Sequence, residues 1–413
     1  MSRTCKSIVG RAAKTLTANT LAKAPPEFFI AVACCRWPPS ESRSDAIRSA
    51  AGGSVDWARF LRIVARHRIW GLARQGLEQA GVALPPDIQR ALDAKASALS
   101  RRNLVLAAET ARLCRLFREA AVAAVFVKGV TLAKLAYTDI SLKHSLDIDV
   151  LVSSTDVRKA RAVLEQAGYA LKHPLPAVTE TQLEMLLKHG KEWEFLRAAG
   201  AVTTELHWTL TYNGLLMRDV DLSCPLAAVR VGDVEIPTFR VEELFVYLCA
   251  HGAQHAWFRI KWLADLAALL ATVPSADVER LYRAAQRRGS GRCAAQVLLL
   301  CERLLAVELP PTLSAELRRT ATAPLLEALA LDAMLGEGEA DVELTDRAFG
   351  HLRVVLSSLL IGEGGSYLWR EITRYSVSAQ DVATFPLPPR LTWLYVVLRA
   401  PLWALRRLKL ARN

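Results

Sequence analysis

The spacing of apolar positions changes twice along the chain and divides it into three parts. Up to about residue 120, apolar residues recur every three or four positions, which is typical of amphipathic helices. From there to about residue 240, short runs rich in Val, Ile and Leu are bounded by Gly and Pro, which is typical of strands. Helical spacing then returns. The pattern predicts an α+β protein in which a small mixed-sheet core is flanked by helical N-terminal and C-terminal regions.

The N-terminal part contains several kinds of segment. Residues 1–25 are basic and rich in hydroxyl groups, and we predict a disordered extension. Residues 39–54 are rich in Ser, Gly and Pro, and we predict a loop. The apolar stripes predict three helices, at 28–35, at 57–80 and at 87–120, the last with Leu104 on its inward face.

The segment from Phe126 to Val152 carries the most informative polar pattern. An apolar run ends at Lys128-Gly129, a helix is predicted next, and a strand follows that contains Asp147 and Asp149. Alternate residues of a strand share a face, so both carboxylates point the same way. They repel each other unless a cation lies between them, and Mg²⁺ commonly binds carboxylates together with phosphates. This repulsion predicts that Asp149→Asn does not lose stability. Two solvated surface aspartates are the alternative.

A third carboxylate is predicted on a later strand. Residues 201–209 alternate between β-branched or apolar and polar positions, so that Glu205 and His207 share one face. Glu205 is therefore the candidate third acid of a metal site. The alternative is a charged surface residue on an edge strand.

Together these features resemble the polymerase-beta-like nucleotidyltransferase superfamily, and within it a large group of uncharacterised bacterial nucleotidyltransferase family proteins. The similarity extends from about residue 26 to the end and is strongest over 120–270. Val130 follows Gly129 where the superfamily often has Ser, and Lys143 stands where this group usually has Arg. The residues that match the pattern of the group are Lys128-Gly129, Tyr137, Lys143, Asp147–Val152, Gly168-Tyr169 and Glu205-Leu206-His207-Trp208.

The resemblance implies an enzyme that depends on Mg²⁺ or Mn²⁺ and transfers a nucleotidyl group from an NTP, most simply ATP, with release of pyrophosphate. It also implies a nucleotidyltransferase core at 121–240, between helical regions at 26–120 and 241–413. The acceptor stays open among a small molecule, a sugar and a peptide product, and a biosynthetic gene cluster is the expected context. The implied catalytic and metal-binding residues are Asp147, Asp149 and Glu205, and the implied nucleotide-binding residues are Lys128, Gly129, Lys143 and His207.

Two other classes of function are compatible with parts of this pattern. A metal-dependent glycosyltransferase also uses a D-x-D pair to bind a nucleotide diphosphate through a divalent cation. It does not need the Lys-Gly turn one helix upstream or the strand that carries Glu205, and we rank it below the nucleotidyltransferase. A non-catalytic nucleotide-binding or scaffold protein is the second alternative, and separation of Glu205 from the aspartates would favour it.

Charge and cysteine content limit the possible binding partners and the cellular compartment of the protein. The net charge of +12 permits contact with nucleic acid, anionic lipid or phosphorylated substrates. The arginines are not interleaved with aromatic residues, so no specific nucleic-acid partner is predicted. Eight cysteines without a C-x-x-C spacing predict reduced thiols and a cytoplasmic protein. Residues 391–410 are apolar with a basic end, and predict either a packed helix or an interfacial helix on the inner membrane.

Two histidines in the C-terminal part also have a helical spacing. His251 and His255 are four positions apart and therefore on one helical face, and Asp265 lies on the next predicted helix. This spacing occurs in zinc sites, but the Glu that follows the first His in zinc proteases is missing. We interpret the pair as packing or substrate contact rather than as a metal site.

Overall fold

The computed structural model shows a mixed α+β architecture. Residues 391–410, for which a packed or interfacial helix is predicted, lie outside the described residues apart from single positions. Within the described part, no helix is both long enough and apolar enough to span a bilayer. The structure describes residues 15–173, 187, 190–199, 201–320, 322–336 and 348–374, with a few separate positions between 387 and 398.

The N-terminal region consists of helices that share one apolar core. Helix α1 falls within the predicted extension, and its Thr17 and Thr20 are buried. The ordered part therefore begins before residue 26. The helices are α1 (15–22), α2 (Pro26–Cys34), α3 (Glu41–Ala51), α4 (Trp57–His67), α5 (Trp70–Gln79) and α6 (Pro86–Glu119).

The predicted loop at 39–54 is wrong, because α3 occupies most of it. Ser40 caps this helix by accepting a hydrogen bond from the backbone N–H of Arg43. The Arg43 guanidinium is buried and donates to the carbonyl of Cys34 at 2.7 Å, which ties α3 to α2. The Gly and Ser residues that suggested a loop lie mainly at the ends of the helix.

The two longer predicted helices also differ in detail. The helix predicted at 57–80 is divided into α4 and α5 by Arg68, which has a left-handed backbone with φ of 55°. Helix α6 is continuous over its whole length, but Leu104 is 60% exposed and does not face the core. Only one stripe of so long a helix contacts the rest of the protein.

The central element is a mixed sheet, as predicted, and it has five strands. Its order is β1-β2-β5-β4-β3, with β2 and β5 parallel and the other pairs antiparallel. A separate hairpin consists of β6 and β7 and turns at Gly232, where φ is 62°. The strands are β1 (Ala124–Phe126), β2 (Asp147–Val152), β3 (Tyr169–His173), β4 (Glu192–Arg197), β5 (Val202–His207), β6 (Leu226–Val231) and β7 (Val234–Phe239).

Helices connect and cover the sheet. A short helix α7 (Val130–Leu132) continues as a π-helical turn (Ala133–Tyr137) between β1 and β2, and α8 (Val157–Gln166) leads from β2 to β3. One apolar core joins the N-terminal helices, the π-helical turn and the C-terminal helices, and a second lies against the sheet. The C-terminal helices are α9 (Val241–Gln254), α10 (Ile260–Leu270), α11 (Asp277–Arg287), α12 (Gly291–Leu305), α13 (Pro311–Arg319), α14 (Ala323–Met334), α15 (Ala348–Leu360) and α16 (Gly364–Arg374).

Candidate active site

The register of the sheet brings two of the predicted acids together. In the parallel pairing of β2 and β5, Asp149 lies directly opposite Glu205. Paired positions on one face of adjacent strands are immediate neighbours, because the strands lie only about 5 Å apart. One carboxylate oxygen of Asp149, one of Glu205 and a ring nitrogen of His207 lie within 4.8 Å of one another. We call these three residues the acid–histidine group.

The remaining predicted acid lies beside this group rather than in it. Asp147 is two residues before Asp149 on the same face of β2 and pairs with Thr203. Among the residues that the structure describes, the group that could bind a metal ion contains His207 and does not contain Asp147. The structure therefore brings together two carboxylates and a histidine. The third carboxylate, that of Asp147, lies two residues earlier on the same strand.

Asp149 is neutralised by protein cations. Its side chain is fully buried, and its Oδ1 lies 2.9 Å from Nζ of Lys128 and 3.2 Å from Nε2 of His207. Burial opposes the charged form of Lys128, but the charge of Asp149, together with smaller effects of Tyr247, Asp147 and Glu205, outweighs burial and raises the pKa of that ammonium well above its usual value. The expectation that Asp149→Asn does not lose stability is thereby revised, because the substitution would leave Lys128 without its main counter-charge.

His207 links the two carboxylates of the group. Its Nε2 also lies 3.4 Å from Oε2 of Glu205, while its Nδ1 lies 3.1 Å from Oε2 of Glu192 without the alignment of a hydrogen bond. Burial alone would lower the pKa of His207, but its bonds to Asp149 and Glu205 raise it. For Glu205 burial has the opposite effect and would raise the pKa. The hydrogen bond from His207 and the charge of Lys128 outweigh burial and lower the pKa of Glu205 to about 2.

The Lys-Gly turn places Lys128 at the site. Phe126 of β1 pairs with Val150, so the chain leaves the sheet edge beside Asp149. Gly129 then adopts φ of 66° and ψ of −126°, a region that is open to glycine and costs other residues strain. The turn therefore needs glycine at this position in order to direct the chain from β1 into α7.

Lys143 lies in a different environment from the one predicted for a phosphate contact. Its side chain is buried, and its Nζ lies 2.8 Å from Oδ2 of Asp265 on α10. The hydroxyl of Tyr137 donates to the other oxygen of Asp265 at 3.1 Å. Tyr137, Lys143 and Asp265 thus form one buried network between the segment that leads into β2 and the C-terminal helix α10.

The loop at 138–146, which leads into β2, is also held from the N-terminal side. The side-chain amide of Asn103 on α6 donates to two carbonyls of this loop, at 2.6 and 2.7 Å. Arg102 donates to the carbonyl of Leu146 at 2.7 Å. Asp147 follows directly, so helices from both ends of the chain fix the position at which the acidic strand begins.

Lys261 interacts electrostatically with Asp147, which the sequence pattern did not reveal. Burial and the charges of Lys143 and Arg68 lower the pKa of Lys261 to about 7, although the carboxylate of Asp147 opposes this change. Its ammonium lies 5.7 Å from the centroid of the Trp262 ring. A lysine near these groups is not recognisable from local sequence, because its neighbours come from distant parts of the chain.

Lys261→Met is expected to stabilise the protein by about 1–3 kcal/mol at pH 6.5. The folded-state pKa lies below the unfolded value, so the cost of burying the ammonium is fully present below about pH 7 and disappears as the pH approaches 10.5. Urea denaturation at pH 6.5 and pH 9.5 would measure this. The exposed Lys95→Met serves as the control. An equal gain in the free energy of unfolding at both pH values would contradict the prediction that the buried Lys261 ammonium destabilises the folded protein.

A mixed sheet that carries paired carboxylates on adjacent parallel strands, beside a glycine turn and a lysine, is the arrangement that the resemblance to nucleotidyltransferases implies. The chain belongs to the family described as uncharacterised nucleotidyltransferase, whose model matches residues 53–306. The match includes the whole acid–histidine group and both segments that hold the loop before β2. No curated protein and no solved structure matches the chain.

Proposed function

We propose that this protein transfers a nucleotidyl group from an NTP to an acceptor hydroxyl or phosphate in a reaction that depends on Mg²⁺ or Mn²⁺ and releases pyrophosphate. The observation that carries the proposal is the pairing of Asp149 with Glu205 across adjacent parallel strands, beside the Lys128-Gly129 turn. Family membership supports the reaction class. ATP is the first nucleotide to test.

The acid–histidine group fits a divalent cation. Oδ2 of Asp149 is buried and makes no hydrogen bond to the described part of the protein. A buried carboxylate oxygen without a partner is costly unless a cation approaches it, and hard carboxylate oxygens suit Mg²⁺ and Mn²⁺. Asp149 and Glu205 would hold the ion, with Asp147 as a third oxygen source along the same face. The ion would neutralise negative charge on the phosphate groups.

The protein's own side chains have separate tasks in this proposal. Lys128 contacts a phosphate oxygen as a point charge, and Gly129 lets the backbone approach the phosphates. The acceptor oxygen forms a bond to the α-phosphorus. The bond between the α-phosphorus and the oxygen that bridges it to the β-phosphorus breaks, and pyrophosphate leaves. With its pKa lowered to about 2, Glu205 is a weak base. We therefore assign Glu205 to holding the ion and orienting the acceptor, while the acceptor proton passes to solvent.

Affinity for the divalent ion should rise with pH. The His207 imidazolium and the ion compete for the same carboxylates, and the raised pKa of His207 means that these carboxylates hold its proton more strongly than solvent does. We expect about tenfold tighter Mn²⁺ binding at pH 8.5 than at pH 6.5, measured by isothermal titration. His207→Gln should flatten this dependence. Equal affinity at both pH values in the wild type would contradict the competition.

The reaction class is tested by ligand-dependent melting and by pyrophosphate release. Wild type should be stabilised by at least one Mg²⁺–NTP, and Glu205→Gln should lose most of that stabilisation. Stabilisation by a nucleotide diphosphate sugar in preference to every NTP would favour the glycosyltransferase. Stabilisation by an NTP that Glu205→Gln leaves unchanged, without pyrophosphate release, would favour a non-catalytic nucleotide-binding protein.

A further inference from the structure

The two ring nitrogens of His207 face different carboxylates. Its Nε2 lies 3.2 Å from Oδ1 of Asp149 and 3.4 Å from Oε2 of Glu205. The antiparallel register of β4 and β5 places Glu192 directly opposite His207, and Oε2 of Glu192 lies 3.1 Å from Nδ1. The His207 side chain is only 2% exposed, so protein groups rather than solvent surround the ring. One nitrogen therefore faces the candidate metal site, and the other faces β4.

The separations within the acid–histidine group match those of neighbouring ligands around one cation. An octahedral divalent ion binds its ligands at about 2.1 Å and near right angles, which places neighbouring ligand atoms about 3 Å apart. The separations of 3.2 and 3.4 Å from Nε2 to the two carboxylates are close to this value. Little rearrangement is therefore needed for Nε2 to become a ligand beside Asp149 and Glu205.

Glu192 is placed to direct the lone pair of Nε2 at the ion. A neutral imidazole carries its proton on one nitrogen, and the hydrogen bond made by that nitrogen selects which one it is. Nδ1 of His207 is buried and makes no aligned hydrogen bond to the described part of the protein, but Oε2 of Glu192 is already within hydrogen-bond distance. With the proton on Nδ1 and accepted by Glu192, Nε2 is free to bind the ion. Metal-binding histidines commonly have such a carboxylate behind the ring.

Glu192 is itself held beside His207. Lys191 forms an ion pair with Oε2 of Glu192, the same oxygen that lies next to Nδ1. Nζ of Lys191 also lies 5.3 Å from the centroid of the Tyr212 ring. These contacts restrict the Glu192 side chain, and support of this kind orients a ligand ring more precisely than a freely rotating carboxylate would.

We propose that Nε2 of His207 is a ligand of the divalent ion, together with Asp149 and Glu205, and that Glu192 is the positioning residue that orients the ring. This proposal rests on the metal dependence of the proposed function and deepens it, because a nitrogen joins the carboxylate oxygens. An imidazole nitrogen is a better ligand for first-row transition metals than for Mg²⁺, which prefers oxygen. The site is therefore selective for Mn²⁺ over Mg²⁺.

Electron spin-echo spectroscopy of the protein loaded with Mn²⁺ alone tests the ligand directly. A coordinated imidazole nitrogen modulates the echo, whereas oxygen ligands give no nitrogen signal. We expect nitrogen modulation in wild type, a changed pattern when histidine is labelled with ¹⁵N, and no modulation in His207→Gln. His255→Gln, which changes an exposed histidine at the end of α9, is the matched control and should retain the modulation.

Isothermal titration with Mn²⁺ and with Mg²⁺ tests the metal preference and the role of Glu192. Wild type should bind Mn²⁺ about a hundredfold more tightly than Mg²⁺, and His207→Gln should reduce this ratio to about tenfold. Glu192→Leu should weaken Mn²⁺ binding about tenfold and Mg²⁺ binding less, because the nitrogen ligand depends on Glu192. Glu192→Gln keeps an oxygen acceptor and should retain most of the Mn²⁺ affinity. Glu165→Leu, which changes an ion-paired glutamate on α8, is the control and should alter neither affinity.

The outcomes separate this inference from the proposed function. Bound Mn²⁺ without nitrogen modulation in wild type overturns the histidine ligand and leaves the proposed nucleotidyl transfer intact. Equal losses of Mn²⁺ and Mg²⁺ affinity in Glu192→Leu overturn the positioning role, because they show a general effect of charge. If wild type does not bind Mn²⁺, the inference fails, and pyrophosphate release from an NTP decides the proposed function separately.

Discussion

Asp149→Asn is expected to lower the rate of nucleotidyl transfer by about a thousandfold or more. The substitution keeps the size of the side chain but removes a charge from the pair that would hold the ion. It should also cost about 2–4 kcal/mol of stability, because the Lys128 ammonium, 2.9 Å away, loses its buried counter-charge. Pyrophosphate release and urea denaturation would measure the two effects separately.

Two further variants separate chemistry from folding in that experiment. Glu205 is 25% exposed, and its carboxylate is stabilised by His207 and by the charge of Lys128, so Glu205→Gln should lose activity to a similar degree and cost less stability than Asp149→Asn. Combining Lys128→Met with Asp149→Asn removes both buried charges and should recover stability without activity. Substantial transfer by Asp149→Asn, or by Glu205→Gln in a folded protein, would contradict the site assignment.

The largest loss of stability is expected from Asp265→Ala, at about 3–5 kcal/mol. The variant leaves the Lys143 ammonium buried without a counter-charge and the Tyr137 hydroxyl without its acceptor. The loop before β2 should loosen as a result, so the activity of the remaining folded protein should also fall. Urea denaturation measures the first effect, and transfer at a temperature well below the melting transition measures the second.

A double-mutant cycle shows whether this loss comes from the ion pair. Lys143→Met in the Asp265→Ala background removes the uncompensated charge and should restore at least about 1–2 kcal/mol. The salt bridge between Arg161 and Glu165 is a partly exposed control, for which Glu165→Ala should cost less than about 1 kcal/mol. Additive effects of the Lys143 and Asp265 substitutions would show that the pair is not coupled.

The strand that carries the acidic pair could be predicted because its signals are local. The two-residue spacing of Asp147 and Asp149 fixes their shared face wherever a strand forms, and the same applies to Glu205 and His207. The pairing of Asp149 with Glu205 could only be inferred from the resemblance, since register depends on the whole sheet. The neutralisation of Asp149 by Lys128 was missed for the same reason, because it requires the tertiary arrangement of β1 and β2.

Errors elsewhere also have physical causes. Composition suggested a loop at 39–54, but the capping Ser40 and the buried hydrogen bonds of Arg43 stabilise a helix there. Leu104 is predicted to face inward, but Asn103, Leu106 and Ala107 are buried in this part of α6, and Leu104 lies on the exposed face. The lowered pKa of Lys261 depends on burial and on charges from two distant segments, around Arg68 and around Lys143, which no periodic pattern encodes.

The central claim is transfer of the α-phosphate, and labelled nucleotides test it most directly. Each of the four NTPs, labelled at the α- or at the γ-phosphate, would be incubated with the protein, Mg²⁺ or Mn²⁺ and fractionated cell-extract acceptors. We predict that label from the α-position of at least one NTP appears in an acceptor, with an equal amount of pyrophosphate, and that Asp149→Asn abolishes both. Transfer of γ-label alone, or α-label transfer that is equal in wild type and Asp149→Asn, would contradict the account.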